Sequence, residues 1–371
     1  MNEEAMPTRN CVMARRNFLK IGGAAVMATV GARRALAQAS EAWWDVRPPK
    51  SGPGRRVCID VHAHWAPQAY IDAVHEYGHQ VEIHPFYSDL EKRLQWMDEH
   101  GVEMHVLSLD GSAPWQWATP EQGMRLAKIV NDAAVEAHQA HPDRFIAAIA
   151  APARDAALTL QELNRMAGKP GMKALHLPDS IANHDYLFEP GFAPVFARCE
   201  ELGYPIVFHQ IGNLGGERNE RTAGPPSLTA ALDAPYDHGV IATKFIVSGT
   251  LDKFPKLEII LPHAGGDFPW LAGRVEHFLY HYYLDKPPVV DLPHPFRDYL
   301  RRFHYDYLAY YPEAFRYLLD LAGPERILVG TDSFAAMDVQ YPGLVLDQFN
   351  LSAVDRDRIL FGNAKRLFHL G

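Results

Sequence analysis

The chain of 371 residues is poor in several things, and each shortage excludes something. It has only three cysteines, Cys11, Cys58 and Cys199, and no Cys-x-x-Cys pair. That rules out a disulfide framework and a thiolate-bound structural zinc. Cys58 lies in an apolar run and Cys199 in an amphipathic one, so both read as buried thiols. No Gly-x-Gly-x-x-Gly follows the first strand candidate, which weakens a dinucleotide-binding reading. Positive charge is scarce: the net charge is −9, and the first 39 residues carry six Lys/Arg against two Asp/Glu, leaving about −13 for the rest. A surface that acidic does not suit nucleic acid. No apolar run is long enough to span a bilayer comfortably.

Two stretches at the start stand apart. In "ARRNFLK" (14–20) an arginine pair precedes Phe18 and Leu19, a short Gly/Ala-rich apolar stretch follows, and "ALAQA" (35–39) offers cleavage after Ala37 or Ala39. This resembles a twin-arginine export signal, with Ala14 in place of the usual Ser or Thr. It implies the twin-arginine machinery as a partner and a periplasmic or secreted destination for a protein that folds before export. The division expected is a signal over 1–39, a Pro/Gly-rich linker over 40–56 and one domain over 57–371.

What the chain has in quantity is histidine, 19 in all, together with alternating apolar and amphipathic segments. Eight β-branched or apolar runs read as buried strands: 57–64, 103–110, 145–152, 172–178, 205–210, 257–265, 303–310 and 326–333. Helical stretches such as "LEKRLQWMDEHG", "EQGMRLAKIVNDAAVEAHQAH", "FEPGFAPVFARCEELG" and "PEAFRYLLDLAG" lie between them, several ending at Gly. Eight such units predict a (β/α)8 TIM barrel, with a doubly wound open sheet as the competitor.

"CIDVHAHW" (58–65) sets His62 and His64 two apart at a strand end. Residues i and i+2 of a strand share a side, so both rings could serve one metal. About one His-x-His pair is expected by chance in such a chain, so the pair alone is weak. Position strengthens it. His209, His263 and Asp332 end the fifth, sixth and eighth strand candidates, on the rim where barrel enzymes gather their chemistry.

With "DVHAHW", "HPDRFIAAIAAP", "FHQIGN", "SGTLDKFPKLEIILPHAGGDFPWLAGR", "PERILVGTD" and "FGNAKRLFHL", the sequence resembles the amidohydrolase superfamily over about 57–371. Within it, the closest likeness is to the amidohydrolase 2, aminocarboxymuconate-semialdehyde decarboxylase-like branch. The resemblance implies one divalent metal, usually zinc, held by His62, His64, His209 and Asp332. It implies His263 as a second-sphere proton-handling residue, and Arg274 as the grip on a substrate carboxylate, in some members across a homodimer interface. Lys173 starts its strand run rather than ending it, which favours one metal over two. His176 either faces substrate or is a polar rim residue. Trp115 and Trp117 either stack an aromatic substrate or cap the barrel. "EHFLYH", with His277 and His281, reads as an outer helical face.

The sequence also departs from the branch's type member. Residues 65–90 contain no arginine, and "DSFAAMD" replaces the usual motif after the last ligand, so the substrate differs. The activity implied is non-oxidative decarboxylation of a small aromatic or unsaturated carboxylate. A metal-dependent hydrolase or hydratase is the alternative, and a binding protein without turnover a distant third, since binding alone needs no proton-handling histidine.

Overall fold

A computed structural model describes residues 57–81, 86–109, 113–182, 184–211, 228–281, 290–333, 346 and 349–371. The proposed signal and linker, with Cys11, lie outside them. Eight parallel strands form one sheet in sequential order: β1 (Cys58–His64), β2 (Val102–Ser108), β3 (Phe145–Ala150), β4 (Met172–Pro178), β5 (Ile206–His209), β6 (Ile259–Leu261), β7 (Phe303–Asp306) and β8 (Ile327–Leu328). Bridges from Asp60 to Val329 and from Ala63 to Ser333 bring the last strand back to the first. This is the expected (β/α)8 barrel, not an open sheet.

Among the described residues, eight helices of nine residues or more connect the strands: α1 (Gln68–Glu76), α2 (Leu90–His100), α3 (Pro120–Ala140), α4 (Ala156–Met166), α5 (Ala193–Leu202), α6 (Ala234–Val247), α7 (Phe268–His281) and α8 (Pro312–Ala322). Local chemistry sets their ends. The Asp89 side chain accepts from the Lys92 amide at the start of α2. Thr119 and Gln122 form a reciprocal capping box on α3. Helices α2 and α5 stop at Gly101 and Gly203, as the sequence suggests.

The barrel is filled by Ile59, Val61, Val106, Ile146, Ala148, Ala174, Val207, Ile260 and Leu328, against which Ala364, Leu367 and Phe368 of the C-terminal segment also pack. Burial of each larger aliphatic contributes about 1.5–3 kcal/mol. Cys58 and Cys199 are buried free thiols, as anticipated.

Three strands are shorter than their apolar runs. β6 stops at Leu261, β7 at Asp306 and β8 at Leu328. His263 and Asp332 therefore do not end strands; each lies beyond one, in a turn. Regular pairing gives way where the chain turns toward the mouth.

A charged cluster joins the strand starts to the C-terminal segment. Glu258 lies 2.9 Å from His304 Nε2, 3.4 Å from Arg326 and 3.2 Å from Arg366. Burial works against its charge, but these three neighbours lower its pKa from 4.5 to about 2. A carboxylate depressed on folding adds stability that is complete above its unfolded pKa and is lost as pH falls through the folded one. Glu258→Gln should therefore cost about 1–2 kcal/mol at neutral pH. The deficit should shrink between pH 4.5 and about 2. Urea denaturation of both proteins across that range measures it; a deficit independent of pH would contradict the assignment.

Candidate metal centre

The β1–β2 register shifts between Asp60 and Ala63. Ile59 and Val61 belong to the barrel interior, and strict alternation would send His62 to the opposite side. The irregularity re-aims the chain, a common use of a bulge. His62 and His64 consequently meet edge to face, with ring centroids 4.9 Å apart and Nε2 atoms 3.2 Å apart.

The other rim residues converge on the same point. Asp332 Oδ1 lies 2.8 Å from His64 Nε2 and 3.2 Å from His62 Nε2, and its Oδ2 lies 3.4 Å from His263 Nε2. His209 stands 4.4 Å from His64 and 5.1 Å from His62 between ring centroids. One donor atom from each of His62, His209, His263 and Asp332 lies within 4.8 Å of the others. All five residues singled out on the rim thus come together.

Their hydrogen bonds define what the cluster can hold. His62 Nδ1 donates to Asp306 Oδ2 at 2.9 Å, and His209 Nδ1 donates to the Gln210 carbonyl at 2.8 Å. With their Nδ1 atoms so engaged, both rings turn Nε2 toward the cluster, where each is bare once a cation takes the place of a proton. His209 Nε2 is buried and has no hydrogen-bond partner. Bare imidazole nitrogens facing a carboxylate repel one another unless a cation lies among them. The donor set fits a divalent metal with N and O ligands.

Without a cation, charge redistributes among these groups. Burial disfavours a charged His62, yet Asp332 and Asp306 together lift its pKa to about 10. Burial likewise opposes a charged Asp332, but His62, His263 and His64 hold its carboxyl well below the usual range. His209 is kept well below the ordinary imidazole value by burial first, then by its neighbouring rings.

Asp306, at the end of β7, is fully buried and organises the cluster. Besides His62, it accepts the backbone amides of His263 (2.9 Å), Ala264 (2.8 Å) and Leu308 (3.1 Å). The turn it holds is strained: His263 (φ 52°), Ala264 (φ 57°) and, across the site, Asp332 (φ 56°) are left-handed non-glycine residues. Such conformations persist only where the surroundings over-determine them. Gly330 allows the close approach, since a Cβ there would come within 2.7 Å of Asp306 Cβ and 2.9 Å of His62 Cβ.

A second buried network backs β1. Arg93 of α2 donates to the carbonyls of His64 (2.5 Å) and Phe86 (3.1 Å) and to His105 Nδ1 (3.2 Å). Asp60 accepts from the amides of His62 (3.0 Å) and Thr331 (3.1 Å) and from the Thr331 hydroxyl (2.5 Å). Burial raises the Asp60 carboxyl to about 6 and lowers the Arg93 guanidinium to about 9.

The remaining residues picked out from sequence fall in different places. His176 is fully buried, with neither ring nitrogen hydrogen-bonded. Burial, then His64 and His62, lower its pKa to about 3, so it is a neutral neighbour of the cluster. Trp115 is 1% exposed and packs toward Gly123 of α3, which corresponds to the capping alternative and not to an open stacking wall. Trp117 stacks on His79 at 3.7 Å. Arg274 is exposed on α7, with its guanidinium 4.7 Å from the Phe278 ring centroid. His277 and His281 are exposed on the same helix, as an outer face requires.

Sequence reasoning missed Asp306, Arg93, Asp179 and His238. Asp179 directly follows β4, so the rim position that marked the histidines would have found it, whereas Asp306 ends β7 but lies in the middle of the 303–310 run. His238 sits within α6 and carries no such signal.

Fold and site together define a barrel enzyme built around a metal centre. The chain matches the Amidohydro_2 family, described as amidohydrolase, over residues 59–370, and it belongs to that family. It is 26% identical over 324 residues to 2-amino-3-carboxymuconate-6-semialdehyde decarboxylase of Dictyostelium discoideum, covering 86% of this chain and 87% of that one. It is 28% identical over 293 residues to gamma-resorcylate decarboxylase of Rhizobium sp. (strain MTP-10005), covering 76% and 87%. The solved 5-carboxyvanillate decarboxylase from Sphingomonas paucimobilis shares the fold with a TM-score of 0.72 at 24% identity, covering 85% of this chain and all of that one.

Asp306→Asn removes the charge that orients His62 while keeping the side chain's shape. Loss of such an outer partner typically weakens metal affinity about 10–100-fold. Competition for zinc against a chromophoric chelator should show a drop of that order; wild-type affinity would mean that Asp306 acts on the turn alone.

Proposed function

We propose that the protein is a metal-dependent non-oxidative decarboxylase of a small aromatic or unsaturated carboxylate. The observation that carries this reading is His263 Nε2 set 3.4 Å from Asp332 Oδ2 within a cluster whose donor atoms, from His62, His209, His263 and Asp332, lie close enough together for one divalent metal, in a chain whose relatives are named as decarboxylases. The ligands proposed are His62, His64, His209 and Asp332, and the metal proposed is zinc. When bound, the metal supplies Lewis acidity to the substrate's carboxylate and an adjacent oxygen.

The chain's own residues do the rest. As the bond to the carboxylate breaks, its electron pair stays on the substrate carbon, carbon dioxide departs, and one proton must reach that carbon. His263 Nε2 is placed to handle that proton, with the Asp332 carboxylate beside it. His176, buried and neutral against the cluster, supplies substrate-facing polarity. Trp117 offers an aromatic face near the second strand's exit.

Arg274 suits a substrate carboxylate through its planar fork of donors. It is exposed, and Trp270, Leu271 and Phe278 of the same helix are exposed too, with Trp270 stacked on Tyr317 of α8 at 4.5 Å. An apolar face of that kind supports a homodimer in which Arg274 serves the partner's site.

The leader over 1–39 supports export through the twin-arginine machinery to the periplasm or beyond, with cleavage at Ala37 or Ala39. Among the described residues no helix is long and apolar enough to cross a membrane. Replacing Arg15 and Arg16 by lysine should leave the unprocessed chain in the cytoplasm; continued appearance of mature protein in the periplasmic fraction would refute the export reading.

The activity is tested on zinc-loaded mature protein with hydroxybenzoates and unsaturated dicarboxylates, following released carbon dioxide beside released acid from lactones and esters. Carbon dioxide release should fall by about 10²–10⁴-fold in His263→Ala. Acid release without carbon dioxide would instead make the protein a hydrolase.

A further inference from the structure

His263 does not stand alone. Its Nδ1 lies 2.8 Å from Nε2 of His238, and the two rings stack at 28° with centroids 5.1 Å apart. His238 Nδ1 in turn lies 2.5 Å from Asp179 Oδ2. Asp179 and His238 are buried, at 2% and 0% exposure. Three elements meet here: Asp179 directly follows β4, His238 belongs to α6, and His263 occupies the strained turn after β6.

The approach of α6 to that turn is built in. A Cβ on Gly239, beside His238, would come within 1.7 Å of Asp267 Oδ1. The Asp267 amide also donates to the Pro235 carbonyl at 3.2 Å. A larger residue at 239 would have to displace the Asp267 carboxylate. The hydroxyl of Tyr186, whose ring is buried nearby, donates to the Pro178 carbonyl at 2.7 Å and so does not compete for Asp179.

We infer that Asp179 and His238 are a positioning pair that fixes the tautomer and ring orientation of His263. The donor order follows from Asp179 outward. A carboxylate only accepts, so the proton of neutral His238 resides on Nδ1. His238 Nε2 is then a bare acceptor. His263 must donate to it through Nδ1–H, and His263 Nε2 is left bare and turned toward Asp332. The same logic orients metal-binding and catalytic histidines through a distant carboxylate. Here an additional imidazole stands between the carboxylate and the working ring.

The pair acts on His263, and the hydrogen bonds that join the three residues include none of the proposed ligands His62, His64, His209 and Asp332. For its chemistry the inference rests on the decarboxylase reading: a bare Nε2 takes a proton from solvent water, leaving hydroxide to solvent, and gives that proton to the substrate carbon as carbon dioxide departs. Its geometry does not rest on that reading.

The test is nitrogen-15 NMR of the zinc-loaded protein with labelled histidines and no substrate. His263 is assigned by comparison with His263→Gln. The expected result is a single Nδ1–H tautomer for His263 and a downfield, exchange-protected His238 Nδ1–H. In Asp179→Asn that proton signal should vanish and His263 should populate both tautomers, with zinc content unchanged. Turnover should fall about 10²–10⁴-fold, by analogy with loss of the orienting carboxylate in a serine-protease triad. KM should stay within about threefold. Asp179→Glu should restore the single tautomer.

An Nε2–H tautomer in the wild type, or an unchanged tautomer in Asp179→Asn, would overturn the inference. If Asp179→Asn does not fold, the wild-type tautomer decides alone. Absence of carbon dioxide release would overturn the decarboxylase reading and leave the tautomer result standing.

Discussion

The site hangs on the carboxylate of Asp306. It is fully buried and accepts one imidazole N–H and three backbone amides. That many donors compensate a desolvated negative charge, and its pKa stays below the ordinary value despite burial. The same four bonds do structural work on three elements. They set the tautomer of His62 on β1, pin the left-handed turn that carries His263, and terminate β7. Asp332 also reaches both β1 and the His263 ring, but Asp306 is the one that binds the backbone of the turn.

The arrangement has a cost that the rest of the barrel offsets. Left-handed backbone at His263, Ala264 and Asp332 costs on the order of 1–3 kcal/mol per residue. Clustering Asp60, Asp306, Asp332 and several imidazoles in one buried region adds desolvation. Against this stand the filled barrel interior and the bonds from Arg93 and Asp60 to the back of β1, which hold the His62 amide and the His64 carbonyl. The site is strained where the chemistry is and regular beneath it, a division that barrels permit because the strands form a platform and the loops a rim.

Much of this was legible before any coordinates. Short continuous apolar runs mark all eight strands because burial on both faces writes itself into composition. The rim position of His62, His64 and His209 is legible from strand ends, while His263 and Asp332 reach the rim from just beyond theirs. Other features were hidden for identifiable reasons. The bulge that turns His62 inward leaves no mark in "CIDVHAHW", since Asp60, Val61 and Ala63 suit either register. The left-handed backbone at His263 and Asp332, beyond the ends of β6 and β8, falls on residue types that predict no such conformation. His238 lies in a helix, where a histidine is ordinarily unremarked, and its partner Asp179 comes from 59 residues away. Arg274 is marked by resemblance alone, and it lies exposed beside Phe278 on α7.

The two histidines that matter most are oriented by carboxylates in different ways, and the difference fits their roles. His62 receives Asp306 at hydrogen-bond distance, so the full negative charge strengthens its Nε2 as a donor toward a cation. His263 receives Asp179 only through the intervening ring of His238, so the charge acts from farther away. A ligand benefits from a strongly basic nitrogen that never lets go. A proton-handling group needs a nitrogen held in direction but free to gain and lose its proton. Placing one imidazole between Asp179 and the working ring keeps the direction without bringing a further carboxylate against a ring that already has Asp332 Oδ2 at 3.4 Å, and the buried path from β4 through α6 to the turn after β6 is how this chain achieves it.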